Sequence, residues 1–366
     1  MNLINTIKIL QEWGLGDGSR PLIVSGPCSA ETSHQMLTTA NELTDAGVNV
    51  FRAGIWKPRT RPGSFEGIGS KGLQWMREVK QKTGMLTAIE VANAAHVEAA
   101  LKSDIDILWI GARTTANPFA VQEVAESLRN CNKIIFVKNP ISPDVELWNG
   151  AIERLQKVGV NKIAAVHRGF STYEKSVYRN PPMWQVSIEL KRRLPEMPIL
   201  CDPSHIAGNR ELIQPIAQKA MDLNYDGLMI ESHCNPDEAW SDKQQQITPA
   251  TLKSILDGLV IRQVNPNGVT GDTLEELRSQ INFLDDELFD IMEKRMEMVK
   301  SIGRFKKANN ITILQPRRWE EIIETSLQKG NVRGLSERFI NNLFKAIHEE
   351  SISKQTDIMN SGEEGN

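Results

Sequence analysis

Between residues 22 and 231, eight short apolar runs recur at intervals that each leave room for one helix. That rhythm constrains the fold more than any other property of the chain. The runs are LIVSGP (22–27), VNVFRA (48–53), MLTAIE (85–90), DILWIG (106–111), KIIFVK (133–138), KIAAVH (162–167), MPILCD (197–202) and YDGLMIE (225–231). Each has strand length and few polar residues, as a strand covered on both faces requires. Helical stretches such as 33–47, 121–130 and 211–224 lie between them. Strand–helix alternation calls for parallel strands, and eight repeats over roughly 240 residues suit a (β/α)8 TIM barrel in the α/β class. A doubly wound open sheet is the competing arrangement, but it gathers its functional residues at one switch point. Here a polar residue stands at or just past the end of every run: Cys28, Arg52, Glu90, Arg113, Lys138, Arg168, His205 and Glu231. In a barrel those ends form one rim, where catalytic groups sit.

A chain of 366 residues exceeds one ordinary domain unless that domain is a barrel. The net charge of −3 argues against a nucleic-acid or membrane-surface partner. Cys28, Cys131, Cys201 and Cys234 are widely spaced and form no CxxC pair, which disfavours a disulfide framework. The opening MNLINTIKILQEWGLG reads as a short amphipathic segment without the basic start of a signal peptide, and no run approaches a membrane span. The expectation is a cytoplasmic enzyme.

The pattern changes after residue 262. QVNPNGVTGD is rich in turn formers and reads as a linker over 263–271. Beyond it Leu277, Ile281, Leu284, Leu288, Ile291, Met298 and Ile302 follow helical spacing over about Thr273–Ala308, with Thr273 and Glu276 as a capping box. So long a helix needs a partner along its length, which predicts a homodimer through this region. Helices over 317–329 and 335–355 follow, separated by GNVRG. The chain thus divides into a barrel (1–262), the linker, a small all-α three-helix domain (272–358) and a disordered tail (359–366).

Two constellations on the rim carry chemistry. Cys28, His205, Glu231 and Asp242 supply a thiolate, an imidazole and two carboxylates, a set suited to one divalent ion: Mn²⁺ foremost, with Fe²⁺, Co²⁺ or Zn²⁺ accepted. A lone cysteine after Gly-Pro is ordinarily a small packing residue, so the weight lies in the shared rim. His233, two residues past Glu231, is expected to support the ligands, and Cys201 and Cys234 to pack. The second constellation is cationic: Arg52, Lys57, Arg59, Arg61, Arg113, Lys138 and Arg168. Arginine forks match carboxylate and phosphate oxygens in pairs, which points to anionic substrates beside the metal. The bland alternative, scattered surface salt bridges, ignores their common position.

The series GPCS, FRAGIWKPRT, IGARTTANP, VKNP, HRGF, DPSH, GLMIESH and SD resembles the type Iβ 3-deoxy-D-arabino-heptulosonate-7-phosphate (DAHP) synthases over about residues 20–262. The resemblance implies condensation of phosphoenolpyruvate with erythrose 4-phosphate. It places Cys28, His205, Glu231 and Asp242 on the metal, and Arg113 and Lys138 on the phosphoenolpyruvate phosphate. Arg52, Lys57 and Arg168 would surround its carboxylate and reacting carbons, Arg59 and Thr60 would bind the erythrose 4-phosphate phosphate, and Lys57 would transfer a proton near the aldehyde oxygen. Arg61 departs from the family, which carries a small hydroxyl residue there. The sialic-acid synthases, which also use phosphoenolpyruvate, are a more distant alternative that KPRT and GAR disfavour.

Behind the linker, LRSQINFLDDEL, EKR, GRFKK, PRRWEEI and EESISKQ resemble the all-helical AroQ-class chorismate mutases over about 272–357. That resemblance implies chorismate and prephenate as ligands. Arg278, Arg295, Lys306, Arg318, Ser351 and Gln355 fall at its binding positions, with Arg278 reaching a partner subunit's site and Lys306 and Gln355 acting on the ether oxygen. Trp319 and Gln315 stand where the family has acids. The alternative is a non-catalytic regulatory and dimerisation module. Either way the arrangement implies feedback on the barrel.

Overall fold

The computed structural model describes residues 6–57, 63, 65–173, 175–262 and 271–361, with the backbone alone over 271–273. Two compact units fall within Met1–Val264 and Asn265–Asn366.

In the first unit each apolar run is a strand: β1 (Leu22–Gly26), β2 (Val50–Arg52), β3 (Leu86–Val91), β4 (Ile107–Ile110), β5 (Ile134–Lys138), β6 (Ile163–His167), β7 (Ile199–Cys201) and β8 (Gly227–Glu231). They pair in parallel in chain order, and β8 closes on β1. Alternate residues divide between two cores, as the two-residue strand period demands. Leu22, Val24, Val50, Ala88, Ile107, Trp109, Ile134, Phe136, Ala164, Val166, Leu200 and Met229 fill the barrel interior. Their neighbours, among them Ile23, Phe51, Ile89, Leu108, Ile135 and Leu228, face the surrounding helices.

Those helices start where polar caps place them. Thr32 accepts the Gln35 N–H to open Ser33–Asp45, and Asp144 accepts the Leu147 N–H to open Val145–Lys157. Trp148 on the latter is fully buried and donates its indole N–H to Val137 O at 3.1 Å, pinning the helix to β5. Burying such a ring contributes about 4–6 kcal/mol at most. The lower end of the barrel is stoppered by the helix Thr6–Glu12 and the turn after it: Leu10 and Leu15 join the interior core, and Thr6 donates to Asp226 just before β8.

Among the described residues the second unit has three helices, Gly271–Ala308, Pro316–Val332 and Glu337–Asn360. Three local expectations differ. The long helix begins at Gly271 rather than at about Thr273, and the side chain of the expected capping box lies outside the described residues. The second helix runs through Gly330 because that residue packs tightly on Ile340, where a Cβ would stand 2.5 Å from Cγ1; the turn falls at Gly334, whose φ is 72°. The third helix carries Met359 and Asn360, expected to belong to a disordered tail. Most of the interface to the third helix uses the later part of the long one. Leu277, Ile281, Leu284, Leu288 and Ile291 stay 52–60% exposed in the single chain. No helix among the described residues is long and apolar enough to cross a membrane.

Candidate active sites

The upper end of the barrel inherits its polar residues from the same two-residue period. Arg52, Glu90, Lys138, Arg168, Asp202 and Glu231 each stand two positions beyond an interior apolar residue, namely Val50, Ala88, Phe136, Val166, Leu200 and Met229. Their side chains therefore converge over the barrel mouth. Gly26 lets β1 approach β2 there: its φ is 148°, and a Cβ would stand 2.1 Å from Arg52 O.

Around Cys28 the groups interlock. Lys57 Nζ donates to Cys28 Sγ at 2.9 Å and to Cys28 O at 2.7 Å, and Sγ lies 3.3 Å from Asp242 Oδ2. Burial and the nearby Glu231 push the metal-free thiol up to about 12. Arg52, fully buried, pairs with Glu231 at 2.9 Å and lies over the Trp109 ring at 4.8 Å. Burial raises Glu231, but His205, Arg52 and Lys57 outweigh it and hold the carboxyl below its ordinary range. His205 Nε2 lies 3.8 Å from Glu231 Oε1. Asp242 sits in the left-handed region at φ 45°, and Arg179 donates to its Oδ1 at 2.9 Å. Burial raises this carboxyl too, yet Arg179 and His205 together hold it well down. Among the described residues no three of the donors close on a common point. They stand as two pairs, Cys28 with Asp242 and His205 with Glu231.

Across the mouth, Lys138 donates to Asp202 at 2.7 Å. Arg168 donates to Asn180 at 2.8 Å, its backbone N–H is held by Asn139 at 2.7 Å, and burial pulls its guanidinium down to about 10. Glu90 accepts the Trp109 indole N–H at 3.1 Å. Arg113 stands exposed on the short helix Ala112–Thr115 at the end of β4. Arg59, Thr60 and Arg61 lie outside the described residues. His233 Nε2 pairs with Glu31 at 3.3 Å and its Nδ1 accepts the Asn235 N–H at 2.9 Å; Glu31 also accepts the Trp240 N–H at 2.7 Å, which anchors the loop carrying Asp242. Cys201 packs in the helix-side core, and Cys234 is half-buried.

Sequence reasoning missed Asp202, Arg179 and Gln245, whose amide donates to Glu231 at 2.7 Å. Asp202 was legible by strand period, one inward position past Leu200; Arg179 and Gln245 come from loops and leave no periodic trace.

In the second unit, Arg295 donates to Ser351 Oγ at 2.9 Å, and Ser351 donates in turn to Ile347 O. Gln355, one turn on, donates to Ser351 O at 3.2 Å while its Oε1 is buried without a partner. Lys306 is 9% exposed and donates to Ile313 O at 2.6 Å. Trp319 stacks on His348 at 4.0 Å, one turn from Ser351. Arg318 pairs with Glu321 and Arg278 with Glu275, each on its own helix. Arg278 stands 17 residues before Arg295, about 26 Å along the axis, so one chain does not bring them together.

Residues 6–263 match the DAHP synthetase I family and residues 277–356 match chorismate mutase type II. The chain is 34% identical over 234 residues to a phospho-2-dehydro-3-deoxyheptonate aldolase of Thermotoga maritima, covering 64% of this chain and 67% of that protein. It is 26% identical over 260 residues to a 2-dehydro-3-deoxyphosphooctonate aldolase of Francisella tularensis, covering 66% of this chain and 91% of the relative. A crystal structure of the Thermotoga maritima DAHP synthase superposes with a TM-score of 0.58 at 32% identity, over 64% of this chain and 67% of that one.

Proposed function

We propose, for a chain that belongs to the DAHP synthetase I family and carries a type II chorismate mutase domain, that each of its two activities runs on the constellation found in its own unit. The chain is a bifunctional shikimate-pathway enzyme: it condenses phosphoenolpyruvate with erythrose 4-phosphate to DAHP and phosphate, and rearranges chorismate to prephenate. The observation that carries the synthase assignment is the convergence of thiol, imidazole, carboxylates and cations at one end of the barrel.

On this reading Cys28, His205, Glu231 and Asp242 hold one divalent ion, Mn²⁺ by preference over Fe²⁺, Co²⁺ or Zn²⁺. The donor set fits, and so does His205: its Nδ1 lies 2.8 Å from Asp202 while Nε2 faces Glu231. Such an ion supplies Lewis acidity toward the aldehyde carbonyl. Arg113 and Lys138 take the phosphate of phosphoenolpyruvate, with Arg52, Lys57 and Arg168 around its carboxylate and reacting carbons. Arg59 and Thr60 take the phosphate of erythrose 4-phosphate. C3 of phosphoenolpyruvate attacks the aldehyde carbon, and the Lys57 ammonium, fixed on Cys28, donates a proton to the forming alkoxide. Water adds at C2, and phosphate leaves by C–O cleavage.

In the helical unit Arg295, Arg318 and Ser351 orient chorismate in the compact conformer that a one-step rearrangement needs. Lys306 and Gln355 stabilise charge on the ether oxygen. A second copy covers the exposed face Leu277–Ile291 of the long helix and supplies Arg278. Prephenate or chorismate bound there feeds back on the barrel, and the enzyme works in the cytoplasm.

Paired assays on one preparation test the division of labour. Chelation should abolish DAHP formation and leave chorismate consumption unchanged, whereas full synthase activity in metal-stripped protein refutes the metal role. Arg295→Ala should abolish mutase activity and relieve synthase inhibition by prephenate; undiminished inhibition refutes the feedback reading.

A further inference from the structure

Asp202, noted above only for its approach to His205, touches both halves of the barrel site. It lies fully buried just past β7. Its Oδ1 accepts the His205 backbone N–H at 3.0 Å, capping the short helix Pro203–Ala207. Its other oxygen, Oδ2, is shared: Lys138 Nζ donates to it at 2.7 Å, and His205 Nδ1 lies 2.8 Å away without the alignment of a formed hydrogen bond. Lys138 therefore holds the better contact and the imidazole the poorer one. The opposite ring nitrogen, Nε2, is the one turned toward Glu231 at 3.8 Å.

We propose that Asp202 is a positioning residue that couples the phosphate side of the site to the metal side, so that substrate binding at Lys138 tightens metal binding at His205. The proposal rests on the roles assigned above to those two residues. An ammonium and an imidazole N–H compete for one carboxylate oxygen. A phosphate arriving at Lys138 takes a share of the ammonium's hydrogen bonds and loosens its hold on Oδ2. That oxygen then accepts fully from Nδ1–H, which fixes the tautomer and leaves Nε2 a better donor to a metal. Linkage makes the effect reciprocal: the metal tightens the substrate by the same factor.

The test is a Mn²⁺ titration of the full-length protein, read by the electron paramagnetic resonance of free Mn²⁺, with and without phosphoenolpyruvate. In the wild type the substrate should lower the Mn²⁺ Kd at least about fivefold, within the usual range of such couplings. Asp202→Asn keeps the helix cap, since asparagine caps as well as aspartate. In it the Kd should rise about 10- to 100-fold, and the substrate should no longer change it. Lys138→Met removes the competitor instead, so the Kd without substrate should fall to the wild-type substrate-bound value. This second variant decides the matter if circular dichroism shows Asp202→Asn misfolded. Coupling that survives in Asp202→Asn overturns the proposal, as does a Lys138→Met Kd no tighter than wild type. His205→Ala separates the two levels. If it leaves Mn²⁺ affinity unchanged, the metal assignment falls and the coupling with it; if it abolishes binding while coupling survives Asp202→Asn, the coupling alone falls.

Discussion

Replacing Arg52 with methionine tests how the barrel tolerates a buried carboxylate. Arg52 and Glu231 pair at 2.9 Å with side chains 2% and 0% exposed, so the change strands a carboxylate out of water. The loss has a ceiling, because the carboxyl can neutralise itself by taking a proton. From its ordinary value of 4.5 to pH 7, at about 1.4 kcal/mol per pH unit, that route costs about 3 kcal/mol. Lys57 and His205 still face Glu231, so a loss of about 2–3 kcal/mol is expected at pH 7, or about 4–12 °C in Tm. The sign with pH follows from linkage. In the wild type the depressed Glu231 contributes stability present above its unfolded value and lost as pH falls through the folded one. In the variant burial dominates, the carboxyl is raised, and stability drops as pH rises above 4.5. The gap between the two proteins must therefore shrink as pH falls from 7 to 5. Urea unfolding in chelator, read by tryptophan fluorescence, measures it: seven of the eight tryptophans (all but Trp319) lie in the barrel unit. A loss under about 1 kcal/mol, or a gap that ignores pH, would refute the reasoning.

Three further outcomes are expected. Lys306→Ala should lower mutase kcat about 10²- to 10³-fold while DAHP formation continues at the wild-type rate, checked on one preparation. Ile281→Asp, on a face open in the single chain, should weaken self-association at least about a hundredfold by sedimentation while leaving barrel melting unchanged. In metal-free protein iodoacetamide should label Cys131 and Cys234 before Cys28 and Cys201, as peptide mass spectrometry can follow: the latter two are fully buried, and the Cys28 thiol is pushed up to about 12.

The barrel was legible because its strands are buried on both faces and therefore uninterrupted as apolar runs. The order of those runs and the polar residue closing each one placed Arg52, Lys138 and Glu231 in advance. What remained hidden depends on register and on loops. His205 does stand just past the seventh run, on a short helix, but the inward position that the strand period defines there is Asp202. Arg179 reaches Asp242 across 63 residues of sequence, a contact no local pattern records. In the helical unit Gly330 reads as a breaker, but tight packing on Ile340 makes glycine the residue the helix accommodates there.

The stopper beneath the barrel bears on how the chain is made. Leu10 and Leu15 find their places only in a closed interior, and Thr6 meets Asp226 across 220 residues. At about 5–20 residues per second, the ribosome needs roughly 10–40 s to deliver the segment that completes this contact. Throughout that interval Leu10 and Leu15 have no lodging, and the half-made barrel keeps open strand edges. Holding factors at the ribosome therefore have a long task at residues 6–15, and substitutions there should alter the yield of folded protein more than the chemistry at the opposite end of the barrel.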